Sequence, residues 1–307
     1  MRILFMGTPD YSVKTLESLY NSSHQVVAVF AQPDKPVGRK QILTPPPVKQ
    51  FAAQNGIPVY QPVTLRDGKA LEIIKEINPD AIVVVAYGKI LPEEILNFPK
   101  FGCINGHASL LPKYRGASPI QWCIVCGEKQ TGVTTMLMDK GMDTGDILDT
   151  AVTEIGEEET AEELFERLSV ISADLMLSTL EKIENGTATP IKQNEAEATY
   201  APIIKKEMAH LDFSKSANEL KCAIRGYYSW PCAFCFIEGK RVKIISAKVV
   251  KGSGEAGTVI DNNGKLVIAC GDNSALELIT VQPEGSKVML ASQMLCGTKI
   301  PLGTKIN

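Results

Sequence analysis

The amino-acid sequence predicts an α/β protein in which a parallel-sheet domain precedes a small β domain. Over residues 1–189, short apolar runs alternate with helical segments, a pattern typical of parallel strands covered by helices on both faces. Over residues 208–307, short strand-like runs are separated by Gly or Asp-Asn turns, which indicates a small antiparallel β-barrel. Residues 190–207 contain two prolines and no periodicity, so we expect a linker there. A chain of 307 residues with 44% hydrophobic composition is large enough to form two cores.

The first domain begins with an apolar strand at residues 2–7, a helix with Asp10 as its candidate N-cap, and a second strand at residues 26–31. Two strands joined by one helix are expected to form a right-handed parallel unit. The turn after the first strand lacks Gly-x-Gly-x-x-Gly spacing, so a dinucleotide site is not expected. The elements predicted after this unit are helix 47–55, strand 57–60, helix 71–77, strand 80–86, helix 118–127, strands 131–138 and 147–152, and a long helix with a capping box at 160–163.

The second domain is predicted to contain one helix and several short strands. The helix follows a second capping box at residues 216–219. The strand-like runs are residues 233–237, 242–250, 257–260, 265–270 and 275–282. Residues 293–307 carry too few signals to be assigned to a helix or a strand.

Charge is distributed unevenly along the chain, whose formal net charge is -3. Residues 205–307 contain 14 Lys and Arg against 9 Asp and Glu, whereas residues 1–204 contain 18 against 26. A cationic excess confined to the C-terminal part indicates an anionic partner for that part, although solubilising surface lysines give the same count.

Eight cysteines are scattered through apolar segments, as is typical of reduced, buried thiols in a cytosolic protein. The two Cys-x-x-Cys pairs, at 123–126 and 232–235, lie far apart and neither flanks a His pair, so no metal is expected and a zinc site is the weaker alternative. The sequence opens directly on a strand-like run, and no later run approaches membrane-spanning length. We therefore expect a soluble, cytoplasmic protein.

The candidate catalytic residues are Asn105, His107 and Asp143. Asn105 and His107 follow a short apolar run with period-2 spacing, so on a strand both side chains point to the same face. An amide NH2 beside an imidazole N–H suits an oxyanion that forms during acyl transfer, and Asp143 is placed to orient or charge the imidazole. There is no Gly-x-Ser-x-Gly elbow, and Ser109 lacks a second His to activate it, so no nucleophile of the chain is required.

Two longer motifs contain these residues. Residues 105–121 read Asn-Gly-His-Ala-Ser-Leu-Leu-Pro-Lys-Tyr-Arg-Gly-Ala-Ser-Pro-Ile-Gln, and residues 139–147 read Asp-Lys-Gly-Met-Asp-Thr-Gly-Asp-Ile. Both closely resemble the signature of the folate-dependent formyltransferases, and the resemblance extends from residue 2 to about residue 283. It implies a Rossmann-like catalytic domain and a C-terminal barrel of the oligonucleotide-binding type. The implied reaction is transfer of the formyl group of 10-formyltetrahydrofolate to the α-amino group of methionyl-tRNA.

The resemblance also implies positions for the two substrates. For the folate, backbone groups after the strand at 80–86 would line the pterin pocket. The implied folate positions are Tyr87, Gly88, Ile90, Ser109, Leu110, Leu111, Pro112 and Asp139.

For the tRNA, the long loop at 32–49 would reach the acceptor end, with its cations on phosphates and its apolar residues on the terminal base pair. The implied loop positions are Lys35, Arg39, Lys40, Ile42 and Leu43. The barrel would contribute contacts to the tRNA backbone from Lys206, Arg225, Lys240, Arg241, Lys243 and Lys248.

Three alternatives to this function stay open at the level of sequence. The enzyme could formylate a small amine such as an amino sugar or a glycinamide ribonucleotide, or it could hydrolyse formyl-folate with water. A third alternative is an RNA-binding protein built on an inactive α/β domain. The long basic loop and the cationic C-terminal part argue against a small substrate, and the presence of Asn105, His107 and Asp143 together argues against an inactive domain.

Overall fold

The structure, a computed structural model, describes residues 1–38 and 40–307. Arg39, one of the predicted tRNA contacts, therefore lies outside the described residues. The strands of the N-terminal part are β1 (Arg2–Gly7), β2 (Gln25–Phe30), β3 (Lys35–Val37), β4 (Ile42–Thr44), β5 (Val59–Tyr60), β6 (Ala81–Val85), β7 (Cys103–His107), β8 (Arg115–Gly116), β9 (Gln130–Leu137), β10 (Ile147–Glu154) and β11 (Tyr200–Ala201). The helices are α1 (Asp10–Tyr20), α2 (Pro47–Gln54), α3 (Lys69–Ile77), α4 (Glu93–Leu96), α5 (Pro119–Val125), α6 (Ala161–Glu184), α7 (Ala217–Gly226) and α8 (Ala291–Gly297).

A seven-stranded sheet organises the N-terminal part, in the order β10-β9-β7-β6-β1-β2-β5. The strands β5, β2, β1, β6 and β7 are parallel, as the alternation of apolar runs and helices predicts. Strand β9 instead runs antiparallel to β7, with Leu137 paired to Ile104 and Thr134 to His107. The loop after β9 therefore starts beside the beginning of β7 and must return along β7 to reach its carboxyl end.

Burial explains the apolar strands at the centre of this sheet. All five residues of β6 are buried, because helices cover both faces of a parallel sheet. The core on one side combines side chains from β1, β2, β6 and α3, including Leu4, Phe30, Ile74 and Ile82. The prediction of an α/β fold with a parallel sheet is confirmed.

Helix α6 packs closely on β7 at Gly106. A Cβ atom at Gly106 would lie 3.0 Å from Ser172 Oγ and 3.4 Å from Met176 Cε, so a larger residue there would press against α6. Thr179 of the same helix shares a hydrogen bond of 2.7 Å with Thr135 of β9. Because side chains alternate along a strand, Asn105 and His107 point to the face opposite α6.

Helix α6 begins as the sequence predicts, whereas α1 begins at a different residue. The capping box forms as predicted before α6, where the Thr160 N–H donates to Glu163 and the Glu163 N–H donates to Thr160 Oγ1. Asp10 is not the N-cap of α1, because Pro9 occupies that position and Asp10 is the first helical residue. Its carboxylate still lies in the first turn, where negative charge is favourable.

The C-terminal part contains an antiparallel half-barrel. Its strands are β12 (Phe234–Ile237), β13 (Lys240–Lys251), β14 (Val259–Asp261), β15 (Leu266–Ala269), β16 (Ser274–Pro283) and β17 (Met289–Leu290). They are arranged in the order β12-β13-β16-β15-β14, with β17 also paired to β16. Helix α7 begins at the predicted capping box and packs on this sheet through Leu220 and Ile224. The last residues, which carried no sequence signal, contribute α8 and a bridge between Thr258 and Lys305.

Packing divides the chain into two compact units that interleave along the sequence. The first unit comprises Met1–Gly116, Gln130–Glu154 and Phe165–Ala201, and the second comprises Ala117–Lys129, Ile155–Leu164 and Pro202–Asn307. The part of the predicted linker up to Ala201 thus packs within the first unit, where the backbones of Ile191 and Ile147 pair. The continuous domain boundaries at residues 189 and 207 stay predictions.

No disulfide joins the eight cysteines in the described part of the chain, and most of them are buried. Burial raises the pKa of the Cys103 and Cys235 thiols to about 12, which keeps them protonated at neutral pH. Within the described residues, no group of three or more His, Cys, Asp or Glu side chains is arranged to hold a metal ion. No helix in residues 1–38 and 40–307 has both the length and the apolar character needed to cross a membrane.

Candidate active site

Strand β7 carries two of the predicted catalytic side chains into the interior. Asn105 is 9% exposed and His107 is 6% exposed, and both lie on the face opposite α6. Among the described residues, the Asn105 amide has no hydrogen-bond partner in the protein. Asn105 is not among the fully buried polar side chains that lack a partner, so its amide reaches the surface and is available as a hydrogen-bond donor to substrate.

The surroundings of the His107 ring distinguish its two nitrogens. Nε2 lies 2.9 Å from the carbonyl oxygen of Tyr114, and because a carbonyl only accepts, Nε2 carries a proton and donates it. Nδ1 lies 3.8 Å from Oδ2 of Asp143. Nδ1, which faces the Asp143 carboxylate, is therefore the ring nitrogen that can contact a substrate.

Asp143 is held in an unusual backbone conformation. Its φ angle is +54°, in the left-handed region, where a residue other than glycine is strained by on the order of 1 to 3 kcal/mol. Oδ2 of Asp143 accepts a hydrogen bond of 2.8 Å from the Gly116 N–H. The Asp143 carbonyl accepts a hydrogen bond of 2.9 Å from the Gln193 side chain. These contacts offset the strain and fix the carboxylate beside His107.

Glycines let the surrounding backbones approach closely. A Cβ atom at Gly145 would lie 1.9 Å from the Leu137 carbonyl oxygen, so the loop that carries Asp143 requires glycine there. Gly116 has a φ of +119°, and a Cβ atom there would lie 2.7 Å from the Ala201 carbonyl oxygen. The Gly residues of both sequence motifs thus shape the backbone around the site.

Arg115 and Gln193 support this site and were not among the predicted site residues. The Arg115 side chain is 0% exposed and forms a two-pronged ion pair with Glu195, with Nη2–Oε1 at 2.7 Å and Nη1–Oε2 at 2.9 Å. Hydrogen bonding to Glu195 raises the pKa of Arg115, and the same contact lowers the pKa of Glu195. Arg115 stands inside the motif at residues 105–121, whereas Gln193 lies in the predicted linker, where no sequence signal could have identified it.

The predicted folate positions are distributed over three segments of the first unit. The Tyr87 side chain is 2% exposed, and burial raises the pKa of its hydroxyl. The Tyr87 carbonyl accepts from Gln32 Nε2 at 3.0 Å, and the Gly88 carbonyl accepts from the same atom at 3.3 Å. Ile90 is 70% exposed. The backbone carbonyls of this segment are thus already engaged by Gln32.

The segment after β7 is tied to β9. Thr134 Oγ1 donates to the Ser109 carbonyl at 2.7 Å and accepts from the Leu111 N–H at 3.1 Å. The Ser109 hydroxyl donates to the Lys113 carbonyl at 2.6 Å, so Ser109 closes the turn around Leu110 and Pro112. Ser109 therefore has a structural role in this loop, in agreement with the absence of a base to activate it.

Asp139 closes the turn that precedes Asp143. Its Oδ1 accepts from the Gly141 N–H at 3.0 Å and from Thr144 Oγ1 at 2.6 Å. Met142, within this turn, is 62% exposed. Asp139 thus stabilises the loop that carries Asp143, and a direct contact to folate stays a prediction.

The long loop predicted to contact tRNA forms a β-hairpin. Strands β3 and β4 pair with Lys35 opposite Thr44 and Pro36 opposite Leu43. Ile42 and Leu43 are 61% and 64% exposed, and Lys35 and Lys40 are exposed beside them. At the base of the hairpin, Lys49 forms an ion pair of 2.9 Å with Asp34. Exposed apolar side chains among cations on a two-stranded ribbon form a surface suited to a partner that has both phosphates and bases.

The predicted cations of the second unit have different environments. Lys206, Lys240 and Lys248 are exposed, and Lys243 is half-buried. The guanidinium of Arg241 lies over the Phe234 ring, 3.8 Å from its centroid. Arg225 donates through Nη1 to the carbonyls of Gly156 and Glu159, both at 3.0 Å, and so stabilises a turn of its own unit. Arg225 is therefore less available to phosphate than the exposed lysines.

Comparisons with known proteins identify the family of the chain. The family model described as "Formyl transferase" matches residues 1–180, and the model described as "Formyl transferase, C-terminal domain" matches residues 203–299. The chain is 48% identical over 307 residues to the methionyl-tRNA formyltransferase of Caldanaerobacter subterraneus subsp. tengcongensis, covering 99% of both chains. It is 47% identical over 305 residues to that of Alkaliphilus oremlandii, covering 99% of this chain and 98% of the relative.

Two solved structures are similar in fold. The methionyl-tRNA formyltransferase of Clostridium thermocellum has a TM-score of 0.54 at 25% identity, with 81% of this chain and 93% of that chain covered. An N-formyltransferase from Helicobacter canadensis in complex with folinic acid and dTDP-3-aminofucose has a TM-score of 0.70 at 21% identity, with 92% and 99% covered, which shows the shared fold alone. The family resemblance of the two sequence motifs is confirmed. The chain belongs to the formyl transferase family, among the methionyl-tRNA formyltransferases.

Proposed function

We propose that this chain transfers the formyl group of 10-formyltetrahydrofolate to the α-amino group of initiator methionyl-tRNA, giving N-formylmethionyl-tRNA for translation initiation. The observation that carries the proposal is the grouping of His107 and Asp143, 3.8 Å apart, beside the partnerless amide of Asn105. Relatives with 44% to 48% identity over nearly the whole chain have the corresponding name. Both parts of the chain match the family models, so the catalytic and C-terminal domains are both represented.

The α-amino group that accepts the formyl group needs little activation. An α-amino group has a pKa of about 7.7 to 8.0 in model peptides, so an unprotonated fraction is present at neutral pH. The amine nitrogen forms a bond to the formyl carbon, and the bond from that carbon to N10 of the folate breaks. The amine loses one proton and N10 gains one, so the transfer needs no oxidant and no covalent enzyme intermediate.

The three predicted catalytic residues have complementary roles in this transfer. Asn105 donates an N–H to the formyl oxygen as negative charge develops on it. His107, whose Nε2–H is bound to Tyr114, presents Nδ1 on the same face of the strand, and in the doubly protonated ring this nitrogen is a second donor to the formyl oxygen. The Asp143 carboxylate balances positive charge on the ring and accepts the amine proton directly or through water.

The folate positions are proposed from the family resemblance and from their location in the fold. Tyr87, Gly88 and Ile90 follow β6 at its carboxyl end, the edge of a parallel sheet where ligands bind. Leu110, Leu111 and Pro112 follow β7 at the same edge, close in sequence to His107. Together these segments supply apolar walls, which suit a planar heterocycle such as a pterin.

The tRNA is proposed to contact the β3–β4 hairpin and the cationic face of the second unit. On the hairpin, Ile42 and Leu43 supply apolar contacts and Lys35 and Lys40 supply charge. Arg39, which lies outside the described residues, is proposed for the same role from the family resemblance. In the second unit, the exposed Lys206, Lys240 and Lys248 are available to phosphates, together with Lys243 and Arg241. Phosphate contacts of this kind position a nucleic acid without reading its sequence.

The main alternative is a formyltransferase that acts on a small amine. Two similar folds are named as enzymes for amino sugars, but at 21% identity they share only the architecture with this chain. A small substrate would leave the exposed apolar residues of the hairpin without a partner.

A single assay distinguishes the candidates. The protein is incubated with 10-formyltetrahydrofolate labelled in the formyl group, in the presence of methionyl-tRNA, free methionine or an amino sugar nucleotide. The proposal requires label in the aminoacyl ester of methionyl-tRNA. Label only in the small amines, only in free formate, or in no product would each refute it.

We also propose a cytoplasmic location. Eight cysteines without a disulfide among the described residues, including the exposed Cys126 and Cys296, are typical of a reducing compartment. The proposed substrate is produced and used where translation takes place. Fractionation of cells that express a tagged chain, followed by detection of the tag, tests this location, and recovery in a secreted fraction would contradict it.

A further inference from the structure

Gln193 lies in residues 190–207, whose sequence predicts a linker, yet its side chain contacts the backbone of residues 138–146, the loop that carries Asp143 (the catalytic loop). Its Nε2 donates to the Asp143 carbonyl at 2.9 Å and to the Gly145 carbonyl at 2.7 Å. Its Oε1 accepts from Arg115 Nε at 3.1 Å and from Arg115 Nη2 at 2.8 Å. Two donors and two acceptor positions are all that a carboxamide has, so the group is fully used.

Arg115 determines which way this amide points. A guanidinium only donates, so it can face Oε1 and not the NH2 group of Gln193. The NH2 group is therefore directed to the two carbonyls of the catalytic loop. The charge of Arg115 is balanced by its two-pronged contact with Glu195, so the buried guanidinium is both paired and fixed in orientation.

The same segment also fixes the other side of Asp143. The Arg115 N–H donates to the Thr199 carbonyl at 2.9 Å, and Tyr200 pairs with Arg115 in a short parallel ladder. Gly116, the next residue, donates its N–H to Oδ2 of Asp143 at 2.8 Å. Residues 193–200 thus hold the Asp143 backbone through Gln193 and position the donor to its carboxylate through Arg115.

We propose that Gln193 is a positioning residue for formyl transfer, and that it acts by keeping the Asp143 carboxylate in place beside His107. This inference rests on the proposed function of the site and assigns a catalytic contribution to a segment outside both sequence motifs. Gln193 does not contact the reacting atoms. Its contribution is made through the main chain of Asp143, whose left-handed conformation it stabilises.

The test is the variant Gln193→Met, which keeps the side-chain length and removes all four hydrogen bonds. A misplacement of about 1 Å in a catalytic group lowers the rate by on the order of 100-fold, so we expect kcat to decrease by about 10-fold to 100-fold. The KM for methionyl-tRNA and the KM for 10-formyltetrahydrofolate are expected to stay within about 2-fold of wild type. The control is Glu197→Gln, an exposed change in the same segment, which should leave kcat unchanged.

A double-mutant cycle distinguishes positioning of Asp143 from a general structural role. In the Asp143→Asn background the carboxylate is already absent, so Gln193→Met should reduce kcat by less than about 2-fold further. A decrease in that background as large as in the wild-type background would overturn the proposal. So would an unchanged kcat in Gln193→Met, or a change confined to the KM for tRNA.

A second variant covers the case in which Gln193→Met does not fold. Gln193→Glu retains an oxygen for Arg115 but replaces the two N–H donors, so it should remain folded and should still lose kcat. Wild-type kcat from Gln193→Glu would contradict the inference. If the wild-type protein itself formylates no methionyl-tRNA, the proposed function fails, and that result is distinct from any result with the variants.

Discussion

His107 and Asp143 face each other through Nδ1 and Oδ2 at 3.8 Å, although 36 positions separate them and β9 runs antiparallel to β7. The loop after β9 starts beside Ile104 and returns along the strand for Asp143 to reach the histidine. The distance exceeds that of a hydrogen bond, so the two groups do not bond directly, and a substrate group or a water molecule can bridge them from the side.

Removal of either donor of the proposed oxyanion site should lower kcat. We expect Asn105→Ala and His107→Ala each to reduce kcat by on the order of 10² to 10³, because an oxyanion donor contributes that much to the transition state. Steady-state kinetics with saturating folate and methionyl-tRNA measures the effect. His24→Asn, which changes a buried histidine near the chain's amino terminus, is the control and should leave kcat near that of wild type. Full activity in either site variant would show that the site is misassigned.

Gly106→Ala should destabilise the first unit through a steric conflict. The new Cβ would lie 3.0 Å from Ser172 Oγ on α6, and overpacking of this kind costs about 1 to 3 kcal/mol. Urea unfolding at constant m-value measures the loss. Ser172→Ala in the same chain removes the conflicting oxygen, so the double variant should recover part of the stability. If the double variant is no more stable than Gly106→Ala alone, Ser172 is not the source of the conflict.

The hairpin should affect tRNA binding without affecting folate binding. Leu43 is 64% exposed, so Leu43→Ser should leave stability unchanged while raising the KM for methionyl-tRNA several-fold. Arg39→Ala should weaken tRNA binding and reduce the slope of log affinity against log salt by about 1, the contribution of one phosphate contact. Val63→Ser, at another exposed apolar position, is the matched control. An unchanged KM for methionyl-tRNA and an unchanged salt slope would indicate that the hairpin does not contact the tRNA.

Thiol reactivity should follow burial. Cys126 and Cys296 are exposed and should react first with a thiol reagent in the native protein. Burial raises the pKa of Cys103 and Cys235 to about 12, so neither forms a thiolate between pH 7 and pH 9. The variant with Cys126 and Cys296 both changed to serine should lose the fast phase of thiol modification. Rapid modification of Cys103 in the native protein would contradict the packing of β7.

The raised pKa values of Cys103 and Cys235 make the stability of the protein depend on pH. Because the folded pKa of these two thiols lies above the ordinary value of 9.0, their burial favours the folded state fully below that pH. The contribution should then decrease as pH rises from 9.0 to about 12. Urea unfolding across this range checks the direction, and stability that rises with pH there would contradict it.

The sequence by itself determined the alternation of strands and helices, the shared face of Asn105 and His107, and the family motifs. These features depend on local spacing, because side chains on a strand alternate with a period of two and helices repeat every 3.6 residues. The tertiary structure decided the antiparallel direction of β9, the burial of Arg115 against Glu195 and the attachment of Gln193 to Asp143. The physical reason is that each of these contacts joins residues far apart in the chain, so its partner is selected by packing and by the need to pair buried polar groups, neither of which is encoded in local spacing.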